Sequence, residues 1–463
     1  FLVVVQDVRG QGDSEGKFTG FEQESIDTSQ THKWVRGLPD CNGLLGTYGF
    51  SYQGLTQLIS VPGSRPPDCM APAMTGLDEK NHWNSDGDAY WWHLGIAWGL
   101  QLAALKAQRE KNLEVWKTLR NSIEDGTYLN NGHNLLKKYD PDGMSYKWLL
   151  NSQSNEIANT IHKPLDSFLQ APMLLIGGWW DPHLKGILDI YTKSKNAGGN
   201  PELHIGAATH LEWWEGAQDI HMKFFKNHLQ QETRNIIKQN YINLWNISTK
   251  KWEGICSKNY SSLKWGLHAD SGSIFRECGG NLIKDKQGSG ILSFVSDPWR
   301  PVPSLGGHLS PKAGLVDRKH LDKRYDVATF TSKKLTNSLR LQGNPEITLG
   351  VKADQEGFDL CVAFSIINKD GNRVNQISTG FLRKFTKEHN EKLKVKIRLQ
   401  PICIELKKGE KLRISISGSS WPAIGINSGK RNQLSGPVTI NTPVTTISLF
   451  LEDAYLGISH LLS

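Results

Sequence analysis

At 463 residues with 38% hydrophobic content, the chain is long enough for two or three domains with cores of their own. Its net charge of +8 comes from lysines scattered among acids, as over Asp317–Arg324, with no basic stripe interleaved with aromatics, which argues against a nucleic-acid partner. No apolar run is long enough to span a membrane, and the six cysteines (Cys41, Cys69, Cys256, Cys278, Cys361, Cys403) are too dispersed for a zinc site or a disulfide framework, favouring a reducing, cytoplasmic setting.

Phe1-Leu2-Val3-Val4-Val5 has the continuous apolar character of a strand covered on both faces. Such a strand needs neighbours, so the expectation is a fragment whose earlier strands and any targeting signal precede Phe1. The glycines that follow, Gly10, Gly12 and Gly16, are not in dinucleotide-binding spacing. Asp13 and Glu15 would repel a pyrophosphate, so this is read as a structural loop. Phe21–Arg36 reads as a helix offering Phe21, Ile26 and Trp34 to a core, and Gly43–Gly49 as a strand.

That strand runs into Gly49-Phe50-Ser51-Tyr52-Gln53-Gly54, a tight turn leading straight into a helix over Tyr52–Ser60 that stops before Pro62. The arrangement is that of a nucleophile elbow, which holds one serine out over the end of a sheet. The second glycine falls one place later than in the common G-x-S-x-G form. Asp68–Met74 is a further short buried strand. From Asn81 to Ser167 the periodicity turns helical, as over Leu94–Leu105 and Leu113–Leu119, with no convincing strand.

The α/β character resumes with a strand from Ala171 to Trp180 that ends at Asp181, followed by a helix over Leu184–Ser194. Glu202–Gly206 is the next strand, its loop delivering His210, and an amphipathic helix spans Gly216–Leu229. Beyond about Asn240 come short β-rich runs such as Ile347–Val351, Asp359–Phe364, Leu412–Ile416 and Thr445–Leu449, separated by Gly, Asn and Asp turns, a β-sandwich texture. The expected organisation is an α/β core in two parts (1–80 and 168–238), an all-helical insertion at 81–167 and a β-sandwich at 239–463.

Ser51, Asp181 and His210 all fall at the carboxyl ends of expected parallel strands, where open α/β sheets bind ligands. Their chain order, serine then acid then histidine, is that of α/β-hydrolases. A serine hydroxyl needs a base to take its proton, and the imidazole needs a carboxylate to fix its tautomer and stabilise its charged form. Each residue also has a plainer reading: His210 is one of 15 histidines, and Asp181 stands where it could cap the helix beginning near Pro182.

Asp7-Val8-Arg9-Gly10-x-Gly12-x-Ser14-x-Gly16, the Gly49–Gly54 turn, Gly178-Trp179-Trp180-Asp181 and the Thr209-His210 loop together resemble the CocE/NonD acyl-esterase family. Related to it are α-amino-acid ester hydrolases and Xaa-Pro dipeptidyl-peptidases. The resemblance continues through Asp297-Pro298 to Gly306-Gly307 and Leu399-Gln400-Pro401 to Ile414. It implies that these parts are an α/β-hydrolase core, an inserted helical cap and a C-terminal jelly roll, and it accounts for the late glycine. It further implies an oxyanion hole built from the Tyr52 N–H and a tyrosine hydroxyl on an earlier strand that this chain does not contain. Trp83 and Trp98 match aromatic walls of the acyl pocket, and His183 stands where an aromatic is common.

The activity so implied is cleavage of acyl esters or amides through an acyl-enzyme, needing no metal or organic cofactor, on a small-molecule ester or short peptide; a homo-oligomeric state stays open. An Xaa-Pro dipeptidyl-peptidase or α-amino-acid ester hydrolase is the alternative, and it would need carboxylates for a substrate ammonium, with Asp86, Asp88 and Glu156 as candidates. A catalytically impaired fragment or a binding protein is the alternative from another class.

Overall fold

A computed structural model describes residues 1–152, 160–230, 241–255, 263–269, 279–386 and 390–462. Its first layer is a six-stranded sheet in the order β1 (Gly46–Phe50), β2 (Cys69–Ala73), then the strands at Leu174–Trp180, Glu202–Thr209, Ile242–Asn246 and Lys251–Glu253. All neighbours are parallel except the last pair. The middle strands are buried along their whole length and bear Cys, Met, Leu, Ile and small residues, as strands covered on both faces must. On one face Cys69, Ala71, Leu174 and Ile176 pack under Phe224 of the helix Ala217–Leu229. On the other, Met70 and Leu175 meet Leu55, Leu184 and Ile187.

The chain order of helices is α1 (Glu24–Arg36), α2 (Tyr52–Thr56), then α3 (Trp92–Arg109), α4 (Leu113–Glu124), α5 (Tyr128–Tyr139) and α6 (Met144–Asn151), which pack together as the cap. A two-stranded hairpin, β3 (Ser85–Asp86) and β4 (Ala89–Tyr90), opens this segment. The purely helical reading of the cap missed it, because two-residue strands carry no alternation to detect. After α7 (Asp166–Gln170) come β5 (Leu174–Trp180), α8 (Leu184–Asn196), β6 (Glu202–Thr209), α9 (Ala217–Leu229), β7 (Ile242–Asn246) and β8 (Lys251–Glu253). The remainder is a twelve-stranded, mostly antiparallel system that includes long strands at Leu339–Ala353, Gly357–Ile367, Val374–Phe385 and Thr445–Ser459.

Two sequence expectations are corrected. Phe1–Val5 forms no strand: it pairs with no described strand, and its side chains are exposed, Val5 at 87%. In α1, Ile26 and Trp34 face solvent while Glu24, Thr28 and His32 are buried. The helix takes that face because its residues fit contacts there: Thr28 Oγ1 donates to the Thr56 carbonyl at 2.9 Å, and the His32 ring stacks on Phe168. The Gly10–Gly16 segment is a loop held by its own contacts, with the Ser14 hydroxyl donating to the Asp7 carbonyl at 2.7 Å. Cys41, Cys69, Cys361 and Cys403 are free thiols, whereas Cys256 and Cys278 lie outside the described residues. Among the described residues no helix is long and apolar enough to cross a membrane.

Candidate active site

Strand register brings the three candidate residues together. Phe50 pairs with Ala73 at the end of β1, and Trp180 pairs with Thr209 at the ends of β5 and β6. Ser51, Asp181 and His210 are the next residue in each case, so they leave the sheet at its carboxyl rim. A Cβ on Gly49 would come within 2.6 Å of the Gln53 Cβ. On Gly54 it would meet Thr75 at 2.8 Å and the Ala73 carbonyl at 2.9 Å. The glycine displaced by one place is therefore the one that lets α2 lie against β2. Between them Ser51 adopts φ 60° and ψ −126°, a backbone strain of roughly 1–3 kcal/mol, and its N–H donates to the Ala73 carbonyl at 2.9 Å.

The Ser51 hydroxyl lies 3.0 Å from His210 Nε2, and His210 Nδ1–H donates to Asp181 Oδ1 at 2.7 Å. Asp181 is wholly buried, His210 a quarter exposed. Two bonds cross from the C-terminal β-structure to this rim: Gln400 Nε2–H donates to the Asp181 carbonyl at 3.2 Å, and Trp180 Nε1–H to the Ile377 carbonyl at 3.0 Å. Gln400 falls within one of the family-like segments, but nothing in its spacing signalled this contact. The hydroxyl–imidazole–carboxylate series is the arrangement by which a neutral base can take a serine proton and hold the resulting charge.

As the first residue of α2, Tyr52 has an N–H with no intrahelical acceptor, directed from the helix start beside Ser51. Its side chain enters an aromatic cluster with Phe21 at 4.9 Å, Trp83 at 6.4 Å and Trp98 at 6.5 Å between ring centroids. Trp83 stacks on Trp98 and packs against His183 at 4.5 Å. His183 in turn lies 4.9 Å from the His210 ring, with its Nδ1–H donating to the His82 carbonyl at 2.6 Å. Burial pushes the His183 pKa down to about 3, so this imidazole is neutral. Trp83, Trp98 and His183 are thus neighbours of one another and of the serine turn.

Sequence reasoning missed two carboxylates here. The Tyr52 hydroxyl donates to Glu24 and accepts the Phe21 N–H at 2.9 Å. Burial and the Glu24 charge hold that phenol far above its ordinary pKa. Glu79 accepts from Trp148 Nε1–H at 2.9 Å and His162 Nε2–H at 3.0 Å. A cleft of about 870 Å³, bordered by Phe21, Glu79 and Trp148, opens between the 17–22 loop and cap helices α3 and α6. The carboxylates proposed from sequence are otherwise engaged. Asp86 pairs with Lys185 at 2.6 Å and His308 at 3.0 Å, and Asp88 with Lys80 at 2.8 Å. Glu156 lies outside the described residues. For a metal, one ligand atom each from Asp181, His183 and His210 lies within 4.8 Å of the other two.

A family model described as X-Pro dipeptidyl-peptidase (S15 family) matches residues 1–212, and one described as the X-Pro dipeptidyl-peptidase C-terminal non-catalytic domain matches 260–445. The cocaine esterase of Rhodococcus sp. (strain MB1 Bresler) is 23% identical over 92% of this chain and 82% of its own length. Among solved structures, an aminopeptidase from a marine sediment Thaumarchaeota archaeon superposes with a TM-score of 0.70 at 16% identity, covering 98% of this chain and 84% of its own. An α-amino acid ester hydrolase gives 0.67 at 16% identity with the same coverages, 98% and 84%. A CocE/NonD family hydrolase from Staphylococcus aureus gives 0.67 at 15% identity, covering 98% and 78%. Both family models matched in sequence order, with the α/β-hydrolase architecture shared with these structures, support placing the chain among the CocE/NonD-like hydrolases of the S15 family.

Proposed function

We propose that this chain is a serine hydrolase of acyl esters working through an acyl-enzyme. The observation that carries the reading is the hydrogen-bonded series from Ser51 through His210 to the buried Asp181. In the first half-reaction Ser51 Oγ attacks the ester carbonyl as its proton passes to His210 Nε2. Asp181 holds the imidazole by Nδ1 and stabilises its positive charge, and the Tyr52 N–H faces the developing oxyanion. His210 returns the proton to the leaving alcohol. Water then enters, gives its proton to the same nitrogen and releases the acid, restoring the serine.

The acyl group is assigned to the wall made by Trp83, Trp98 and His183, whose rings adjoin the serine turn. A fluorophosphonate probe should label Ser51 stoichiometrically, and Ser51→Ala should take no label; label persisting in Ser51→Ala would refute the assignment.

The second reading is hydrolysis of amino-acid esters or short peptides with a free ammonium, favoured by Glu79, a carboxylate bordering the cleft beside the aromatic cluster. Comparing kcat/KM for an N-terminally free substrate and its acetylated form separates the two. A preference for the free amine that collapses in Glu79→Gln supports the peptide reading.

A further inference from the structure

Two of the rings that touch His210 come from opposite faces of the sheet. His183, 4.9 Å away, caps the start of α8, whose Leu184 and Ile187 pack on the face that carries Met70 and Leu175. Phe50, 5.4 Å away, lies two residues beyond Tyr48 on β1 and so shares its face. Tyr48 meets Phe225 of α9, the helix that covers the other side of the sheet. His183 belongs to the wall assigned to the acyl group, together with Trp83 and Trp98, whereas Phe50 has no part in that wall.

Phe50 meets Trp213 at 5.8 Å with the ring planes 82° apart, so the two make a corner. Trp213 is held in that pose: its Nε1–H donates to the His210 carbonyl at 3.3 Å, and it stacks with Trp214 at 6.4 Å and His221 at 6.2 Å. The corner stays open. Phe50 is 36% exposed and Trp213 half-buried, and Leu211 in the same loop is exposed. An open apolar surface beside reacting groups is a place for a ligand.

We propose that Phe50 and Trp213 form the site for the alcohol half of the ester, and that this site selects arylmethyl alcohols. The inference deepens the reading of Ser51, His210 and Asp181 as a catalytic triad and rests on it. In the tetrahedral intermediate the reacting carbon, bonded to Ser51 Oγ, turns its oxyanion to the Tyr52 N–H and its acyl chain to Trp83, Trp98 and His183. The remaining substituent is the alcohol oxygen. It lies within reach of His210 Nε2, which gives it the proton taken from Ser51 as the carbon–oxygen bond breaks. The carbon chain on that oxygen passes the His210 ring on the side away from His183, where Phe50 and Trp213 stand. A flat ring parallel to one of these stands perpendicular to the other, so stacking and edge contact are met together; a saturated ring of the same bulk gains neither.

The test compares two acetates of nearly equal size, benzyl and cyclohexylmethyl, on the whole chain. Their acyl group is the same and their alcohols are similarly weak acids, so the ratio of kcat/KM reads the alcohol site. The unmodified protein should favour benzyl acetate by about fivefold or more. Phe50→Leu and Trp213→Leu should each cut that ratio to less than half, and leave the preference between benzyl acetate and benzyl butyrate unchanged. Trp98→Leu should do the reverse, shifting the acyl preference and sparing the alcohol ratio. Trp213→Phe keeps a ring but gives up the bond to the His210 carbonyl; it should retain the benzyl preference even as the absolute rate falls.

Equal kcat/KM for the two acetates in the unmodified protein would overturn the proposal. So would a benzyl preference that neither leucine variant moves, which would place the ring elsewhere, and so would variants that slow both acetates in proportion. No hydrolysis of either ester, or hydrolysis that persists in Ser51→Ala, would discard the triad and the alcohol site with it.

Discussion

Ser51 owes its exposure at the sheet rim to what its neighbours lack. With Gly49 and Gly54 making room, the serine carries its strain where the proposed proton acceptor is, 3.0 Å away on His210. Ser51→Ala should therefore lower ester turnover by about 10⁴-fold or more, with little change in the denaturant midpoint. Asp181→Asn should cost about 10⁴-fold as well, because an amide in that place favours the wrong imidazole tautomer. Circular dichroism on the same samples separates lost chemistry from lost fold. The three residues of this site were legible because each follows a strand whose apolar run ends abruptly. Glu24, Glu79 and Gln400 were not, since their partners are 28, 69 and 219 residues away in the chain and no local pattern encodes them.

At the level of elements, the contact of α2 with β2 constrains the serine turn. Gly54→Ala places a methyl group against the Ala73 carbonyl and Thr75, where strand and helix cannot part without moving Ser51. Overpacking of this kind costs about 1–3 kcal/mol, and it should appear as a lower melting temperature together with slower probe labelling.

β6 offers a test of the opposite sign. His204 is buried in it, with both ring nitrogens lacking partners among the described residues, and burial lowers its pKa to about 4. The folded value lies below the unfolded one of about 6.5, so the unfolded chain binds the proton first. The stability contribution is complete above that pH and is lost as pH falls through the interval toward 4. His204→Phe keeps the ring contacts with Tyr241 and Trp252. It should raise the melting temperature at pH 5 more than at pH 8. Element types were readable from periodicity, but facing was not: α1 presents Glu24, Thr28 and His32 inward because tertiary partners outweigh its apolar stripe. Likewise the run Phe1–Val5 has the composition of a covered strand, but it pairs with none of the described strands and lies exposed.

Across the whole molecule, the cap hairpin, the core and the C-terminal β-structure meet at Asp86, which takes Lys185 of α8 and His308 as partners. Burial alone would raise its pKa, but Lys185 and His308 outweigh that and hold it below the ordinary carboxylate range. The group therefore stabilises the fold above about pH 4, the unfolded value, and the gain disappears as pH falls through the depressed folded one. Asp86→Asn leaves Lys185 without its anion and weakens the acceptor for His308, and should cost about 1–3 kcal/mol at pH 7, read by chemical denaturation. The three-part architecture was visible in the sequence as changes of texture. The joints between the parts were not, because a hydrogen bond spanning 222 residues leaves no periodic trace.

The bond from Gln400 to the Asp181 carbonyl, with the Trp180 indole reaching Ile377 beside it, means that the carboxylate holding the proposed general base is braced by a stretch of chain belonging to the segment whose family description is non-catalytic. Severing the polypeptide between the two halves should leave a sheet that still presents its serine to solvent but no longer aims its imidazole, and adding the missing half in trans should recover the aim.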